Sequence, residues 1–133
     1  MKAITILQPW ASLVAHGAKR YETRSWRTNY RGSLAVHAGA RFRAEDRCLC
    51  EIGFWAECLG IARGDWSALP LGAVLATCVL EECVPTELVC PSEPECFFGN
   101  FTHGRWAWRL VNVRRLREPV PARGAQGLWD WEG

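Results

Sequence analysis

Gln8-Pro9-Trp10-Ala11-Ser12-Leu13-Val14-Ala15-His16-Gly17-Ala18-Lys19-Arg20-Tyr21-Glu22-Thr23-Arg24-Ser25-Trp26 is the stretch whose reading decides the fold. Pro9 suits the first turn of a helix, where its missing N–H costs nothing. Trp10, Leu13 and Val14 recur at helical spacing, and Gly17 is a natural stop. From Arg20 to Trp26 the pattern alternates, which suits a strand. Residues two apart in a strand share a face, so Glu22, Arg24 and Trp26 point one way and Tyr21, Thr23 and Ser25 the other. Lys19 falls by count on the Tyr21 face. It sits in the turn after Gly17, however, and a turn residue need not obey the alternation, so it stays within reach of Glu22's side.

Working outward, Ala3 to Leu7 is a short β-rich run and predicts a strand. Thr28 to Gly32 reads as a turn and Ser33 to Ala38 as another strand. Residues 43–60 predict a helix whose apolar face is Phe42, Cys48, Ile52, Trp55 and Leu59. Residues 64–72 are loop-like, and Ala73 to Leu80 is strongly strand-like. Residues 84–104, with three prolines and two glycines, read as one long irregular loop, a feature often functional in compact domains. Trp106 to Leu116 predicts a strand, or two joined by a bend. Pro119 to Gly127 reads as an extended, turn-rich tail ending in Leu128-Trp129. Five or six short strands with two main helices predict an α+β fold, a small closed or nearly closed β-barrel.

At 133 residues the chain has the size of one domain, spanning 1–133, with enough length to bury a core unaided. No segment approaches the ~20 apolar residues of a membrane span, and the start of the chain lacks the pattern of a secretion signal. Seven cysteines, an odd number, then read as reduced thiols in a cytoplasmic protein. Eight tryptophans are hard to bury completely, which points to one or two lining a cleft. The net charge of +2 is unevenly spread: +7 over residues 1–43, −8 over 44–95 and +3 over 96–133. If the two chain ends form one side of the fold, that side is basic and suits phosphate.

Glu22, Arg24 and Trp26 on one strand face offer a charge-assisted donor, an acceptor and a stacking surface for a planar ligand. The plainer alternative is an exposed Glu–Arg pair on a solvated face, contributing little.

The same residues resemble the ASCH domain, a branch of the PUA-like superfamily. Its signature of an early helix followed by Gly-x-Lys-x-x-Glu-x-Arg matches Gly17, Lys19, Glu22 and Arg24. Gln8-Pro9-Trp10, Trp26, Val36-His37-Ala38, Arg105 to Trp108 and Pro119 to Trp129 resemble the subgroup that includes the endothelial-overexpressed lipopolysaccharide-associated factor. The resemblance covers nearly the whole chain and is weakest over 43–100. It implies a β-barrel flanked by helices, a cleft beside the first helix, and association with RNA or other nucleic acid. Some members are ribonucleases or amidohydrolases of N-acetylated cytidine. In the amidohydrolase branch a Lys and a nucleophilic Thr follow the same glycine, and a Glu lies further on. Lys19 matches that Lys, Glu22 stands where the Thr would be, and Glu93 or Glu95 is the candidate for the distant Glu.

A lysine acting as base must be neutral, which requires its pKa to fall from about 10.4 to about 7–8, roughly 4 kcal/mol of bias. A neighbouring carboxylate pushes the other way. Beside Glu22, Lys19 is therefore read as a cationic binder and Glu22 as an acceptor for a base amino or imino group. The two remain the tentative catalytic pair if the cleft is hydrolytic.

His37 reads either as a core histidine or as a cleft-bordering one, and His16 as a partner of the last helical carbonyls. Cys83, Cys90, Cys96 and His103 lie in or beside the long loop, but their spacing is not that of the tight pairs typical of zinc, so no metal or other cofactor is expected. Arg115, Arg117 and Arg123 belong to the densest basic stretch. They read as phosphate contacts for single-stranded RNA, or as a solvated edge. The expected binding set is thus Gln8, Trp10, Lys19, Glu22, Arg24, Trp26, His37, Arg115, Arg117 and Arg123. The function expected is an RNA- or nucleotide-binding module. A hydrolase on the same cleft is the alternative and a protein-interaction module the third reading. The sequence leaves the oligomeric state open.

Overall fold

The computed structural model describes residues 1–133. Six strands form one mixed sheet, β1 (Lys2–Ile6), β2 (Tyr21–Arg24), β3 (Gly32–Ala38), β4 (Ala73–Pro85), β5 (Trp106–Pro121) and β6 (Leu128–Asp130), in the order β2-β5-β4-β3-β1-β6. β1 lies parallel to β3, and every other pairing is antiparallel. The sheet curls into a half-barrel, and the Arg24 side chain of edge strand β2 reaches the Thr5 carbonyl of β1. The fold is α+β, with α1 (Trp10–Ala15), α2 (Ala44–Arg47) and α3 (Gly53–Leu59) beside the sheet. No helix is long and apolar enough to cross a membrane.

α1 is only six residues long, yet Ala11 through Ala15 are all buried. So short a helix owes its stability to packing rather than propensity. The side chain of Gln8 completes its first turn. Oε1 accepts the Ser12 amide at 3.0 Å, and Nε2 donates to Ser12 Oγ and to the Pro70 carbonyl, each at 2.8 Å. The helix ends at Gly17, whose φ of +80° is open to glycine at no steric cost. The amides of Ala18 and Lys19 both return to the Leu13 carbonyl. That reversal turns Lys19 inward, against the count along the strand.

The expected helix over 43–60 is broken. α2 runs into a 3₁₀ turn at Cys48–Glu51, Ile52 is extended, and α3 restarts at Gly53. The break changes the helical phase. Phe42, Trp55 and Leu59 are buried as expected, but Cys48 and Ile52 are exposed and Cys50 takes the core position. Arg47, stacked over Trp66 at 4.1 Å, anchors the broken segment.

β4 and β5 are longer than the apolar runs suggest, because bulges keep them paired past each change of pattern. Asn112, at φ +53°, lies in this bulged region. β4 takes Val84 and Pro85 from the expected loop. β5 absorbs the tail prolines, with Pro121 opposite Ala73 where only one neighbour is needed. The chain beyond Pro121 is no free tail, since β6 returns to pair with β1.

That return is locked by His37. A carbonyl only accepts, so His37 Nε2 donates to Ala122 O at 2.7 Å. Nδ1 then accepts from the Thr5 hydroxyl at 3.1 Å, which in turn accepts from Trp129 Nε1 at 3.1 Å. Gly124 crosses this cluster so closely that an added Cβ would lie 2.5 Å from Thr5 Oγ1 and 2.7 Å from the imidazole Cε1. Gly124→Ala is expected to lose about 1–3 kcal/mol of stability through overpacking, read as a lower urea midpoint.

Candidate nucleic-acid cleft

A cleft of about 610 Å³ opens between the end of β1, the start of α1, β2 and the loop at 97–100. Its charged lining is Lys19, Glu22, Arg24, Arg43 and Arg105, four cations to one carboxylate. Trp10 and Phe97 supply aromatic faces.

Lys19 is 1% exposed. Its Nζ donates to the carbonyls of Tyr21 and, at 2.9 Å, Phe98, and lies 3.7 Å from Glu22 Oε1. The two carbonyls take two of the ammonium's three N–H bonds, and Glu22 Oε1 stands at ion-pair rather than hydrogen-bond distance. Burial lowers the Lys19 pKa, and the carboxylates of Glu22 and Glu95 oppose that shift. Gly99 lets the loop lie close to this head group, since a Cβ there would stand 3.4 Å from Nζ.

Glu22 is itself 8% exposed. Arg24 grips its Oε2 through Nε at 2.9 Å and Nη2 at 2.8 Å, and Nη2 also donates to Thr5 O at 2.8 Å. Oε1 is therefore the less committed oxygen. Arg43 is paired with Asp46 at 2.7 Å. Arg105 has no acidic partner among the ion pairs. Its Nη2 makes a long 3.3 Å bond to Thr23 O, and its Nε is buried with no partner in the protein.

Lys19, Glu22, Arg24 and Trp10 thus share one cleft, and the other expected residues lie elsewhere. Gln8 is fully buried and spends its polar atoms on Ser12 and Pro70. Trp26 packs edge-on against buried Trp108 at 4.8 Å, because β2 has ended at Arg24 and the alternation no longer applies. His37 belongs to the Thr5–Ala122 lock described above. Arg115 and Arg117 line a separate hollow with His16, and Arg123 is exposed beyond β5. Arg115 Nη1 lies 3.0 Å from His16 Nδ1; burial, and then the Arg115 charge, lower the His16 pKa. His16 therefore partners an arginine rather than the helix end.

The fold of this cleft, helix, glycine turn and strand against a six-stranded curl, agrees with the sequence model of the ASCH domain, which matches residues 4–120. The chain belongs to the ASCH domain family. A stretch of 38 residues, 29% of the chain, is 50% identical to the protein "Activating signal cointegrator 1" of Homo sapiens. That stretch is 6% of the human protein's length.

In this ASCH domain, Arg43, Phe97, Phe98, Asn100 and Arg105 join the cleft without having been singled out in the sequence. Arg105 had a signal: it precedes the strand that pairs with Glu22-Thr23-Arg24, and the register of Arg24 opposite Trp106 brings it to the cleft. Arg43 and Phe97 had none. Glu95 is buried and accepts the amides of Arg20 at 2.7 Å and Tyr21 at 3.2 Å, so it holds the Lys19 turn from behind, while Glu93 is exposed. A slightly larger hollow of about 700 Å³ lies on that side. Glu82, Glu93 and Glu95 line it against Arg20 alone, a charge balance that disfavours an anion. Across the chain, no three His, Cys, Asp or Glu side chains are grouped to hold a metal.

Proposed function

We propose that this ASCH domain, acting as a single unit over 1–133, binds RNA or a nucleotide-sized piece of it in the cleft. The carrying observation is Arg105, a cation with no acidic partner in a cleft that it lines together with Arg24, Arg43 and a single carboxylate, Glu22. Arg105 Nη2 makes only a long 3.3 Å bond to Thr23 O, which leaves the end of the guanidinium to pair with a phosphate oxygen through charge-assisted hydrogen bonds. ASCH domains are in general RNA-binding modules of PUA-like fold, which supports the same reading. Arg24 and Arg105 contact phosphate, Trp10 stacks a base, and Glu22 Oε1 accepts from a base amino or imino group. Lys19 is too enclosed for a ligand contact and holds Glu22 and the 97–100 loop in place. The likeness to the endothelial-overexpressed lipopolysaccharide-associated factor subgroup supports assigning the domain there. Seven unpaired cysteines suit a reducing compartment, and the cytoplasm is the proposed location.

The lowered pKa of Lys19 is the observation that favours a hydrolytic cleft instead. Against it, all the neighbours of the amine are acceptors, and a general base needs a free lone pair directed at substrate. Incubation with acylated cytidines and with RNA is expected to give no turnover. Turnover lost in Lys19→Ala and Glu22→Ala would favour the enzyme.

A titration of short single-stranded RNA at two salt concentrations tests the binding reading. Affinity should fall steeply with salt. Arg105→Met should weaken binding about tenfold and reduce the salt slope by about one contact. Absence of binding at low salt would overturn the proposal.

A further inference from the structure

Phe97 lines the cleft on one side and, on the other, a shallower hollow of about 330 Å³ shared with Phe54, Pro94 and Glu93. Phe97 is 53% and Phe54 46% exposed, an unusual pairing of large apolar rings at a surface. Phe54 is backed by the core, and Phe97 is joined to it through its neighbour Phe98. Phe54 lies parallel to Phe98 within 6°, and Trp55 meets Phe98 edge-on at 5.0 Å. Phe98 is 1% exposed, and its carbonyl takes the Lys19 ammonium. The wall between cleft and hollow is thus fixed to the same group that positions Glu22.

The chemistry of the two compartments differs. The cleft carries the cations. The hollow has no cation, one carboxylate and an apolar surface, which disfavours phosphate and suits a flat ring with a polar edge. Successive bases of a single strand stack on such aromatic surfaces while the phosphates follow a nearby basic groove. A duplex holds its bases paired and stacked on each other, out of reach of both compartments.

Resting on the RNA reading of the cleft, we infer that the ligand is a single-stranded segment of at least two nucleotides, with one base in the cleft and its neighbour in the Phe54–Phe97 hollow. Phe97 separates the two bases, Phe54 receives the second, and Glu93 accepts from that base's edge.

Calorimetry on the full chain with a mononucleotide, a dinucleotide sharing its base, and the dinucleotide sequence locked in a duplex tests this. The dinucleotide should bind about tenfold or more tighter than the mononucleotide, the gain expected of one stacked base, and the duplex should show no such gain. Phe54→Ala should abolish the gain while leaving mononucleotide affinity unchanged, and Phe54→Trp, which keeps a flat ring, should retain it. Mononucleotide binding with no gain for the dinucleotide overturns this inference alone. So does a gain that survives Phe54→Ala, or a hollow that binds a protein partner without responding to RNA. Failure of both ligands to bind at low salt overturns the cleft reading itself.

Discussion

Lys19→Met should destabilise the domain by about 2–5 kcal/mol while leaving the sheet intact. Methionine fills much of the space of the lysine stem, so the loss comes from hydrogen bonding rather than a cavity. The Tyr21 and Phe98 carbonyls lose their Nζ donor, at about 1–3 kcal/mol for each buried group left unsatisfied. Glu22 keeps Arg24, so its charge is not stranded. Urea denaturation of both proteins reads the difference. A change under about 1 kcal/mol would show that Lys19 does not hold the loop against β2.

The same pair of proteins carries a pH signature. Burial lowers the Lys19 pKa in the folded state, so between that value and the ordinary lysine range the unfolded chain binds more protons. In that window stability rises with pH, and the wild-type advantage over Lys19→Met should widen toward alkaline pH. A neutral amine still has two N–H bonds for the two carbonyls. A gap that narrows with pH would mean the ammonium is net favoured by its site.

Glu22→Gln is the second large effect, and it falls on recognition. Oε2 is taken twice by Arg24, so a base amino group has Oε1 to address. A charge-assisted bond there is worth about 1.5–3 kcal/mol, against about 1 for a neutral one. Adenosine, cytidine and guanosine monophosphates, which carry exocyclic amino groups, should bind more tightly than uridine monophosphate, whose one imino N–H lies between two carbonyl oxygens that repel a carboxylate. Glu22→Gln should reduce that preference about tenfold and leave uridine monophosphate little changed. Equal loss for all four would assign Glu22 to the architecture of the cleft rather than to base selection.

Much of the cleft was legible because it is local. The glycine stop, the turn and the β2 alternation involve neighbours in sequence, and together they bring Lys19, Glu22 and Arg24 to one place. Trp26 leaves the face of Glu22 and Arg24 because β2 ends at Arg24, a boundary set by pairing with β5 rather than by the residues of β2. Nothing local reveals the partners of His37 and Gln8. Those partners, Ala122 and Pro70, lie 85 and 62 residues away. Spacing alone groups the arginines of β5, but the bulged register between β4 and β5 sends Arg115 and Arg117 to the His16 side and leaves Arg105, before the strand begins, at the cleft. Charge segmentation was the better long-range guide, since the cations of the cleft come from the two basic ends of the chain.

Titrating nitrogen-labelled protein with a short single-stranded RNA, and following the tryptophan indole and arginine Nε–H signals, tests the central claim most directly. Trp10, Arg24 and Arg105 should shift together at a single affinity that weakens with salt, while Trp129 and Arg115 stay in place. Shifts centred on Arg115, Arg117 and His16 with Trp10 and Arg105 unmoved would contradict the account and move the RNA to the other side of α1.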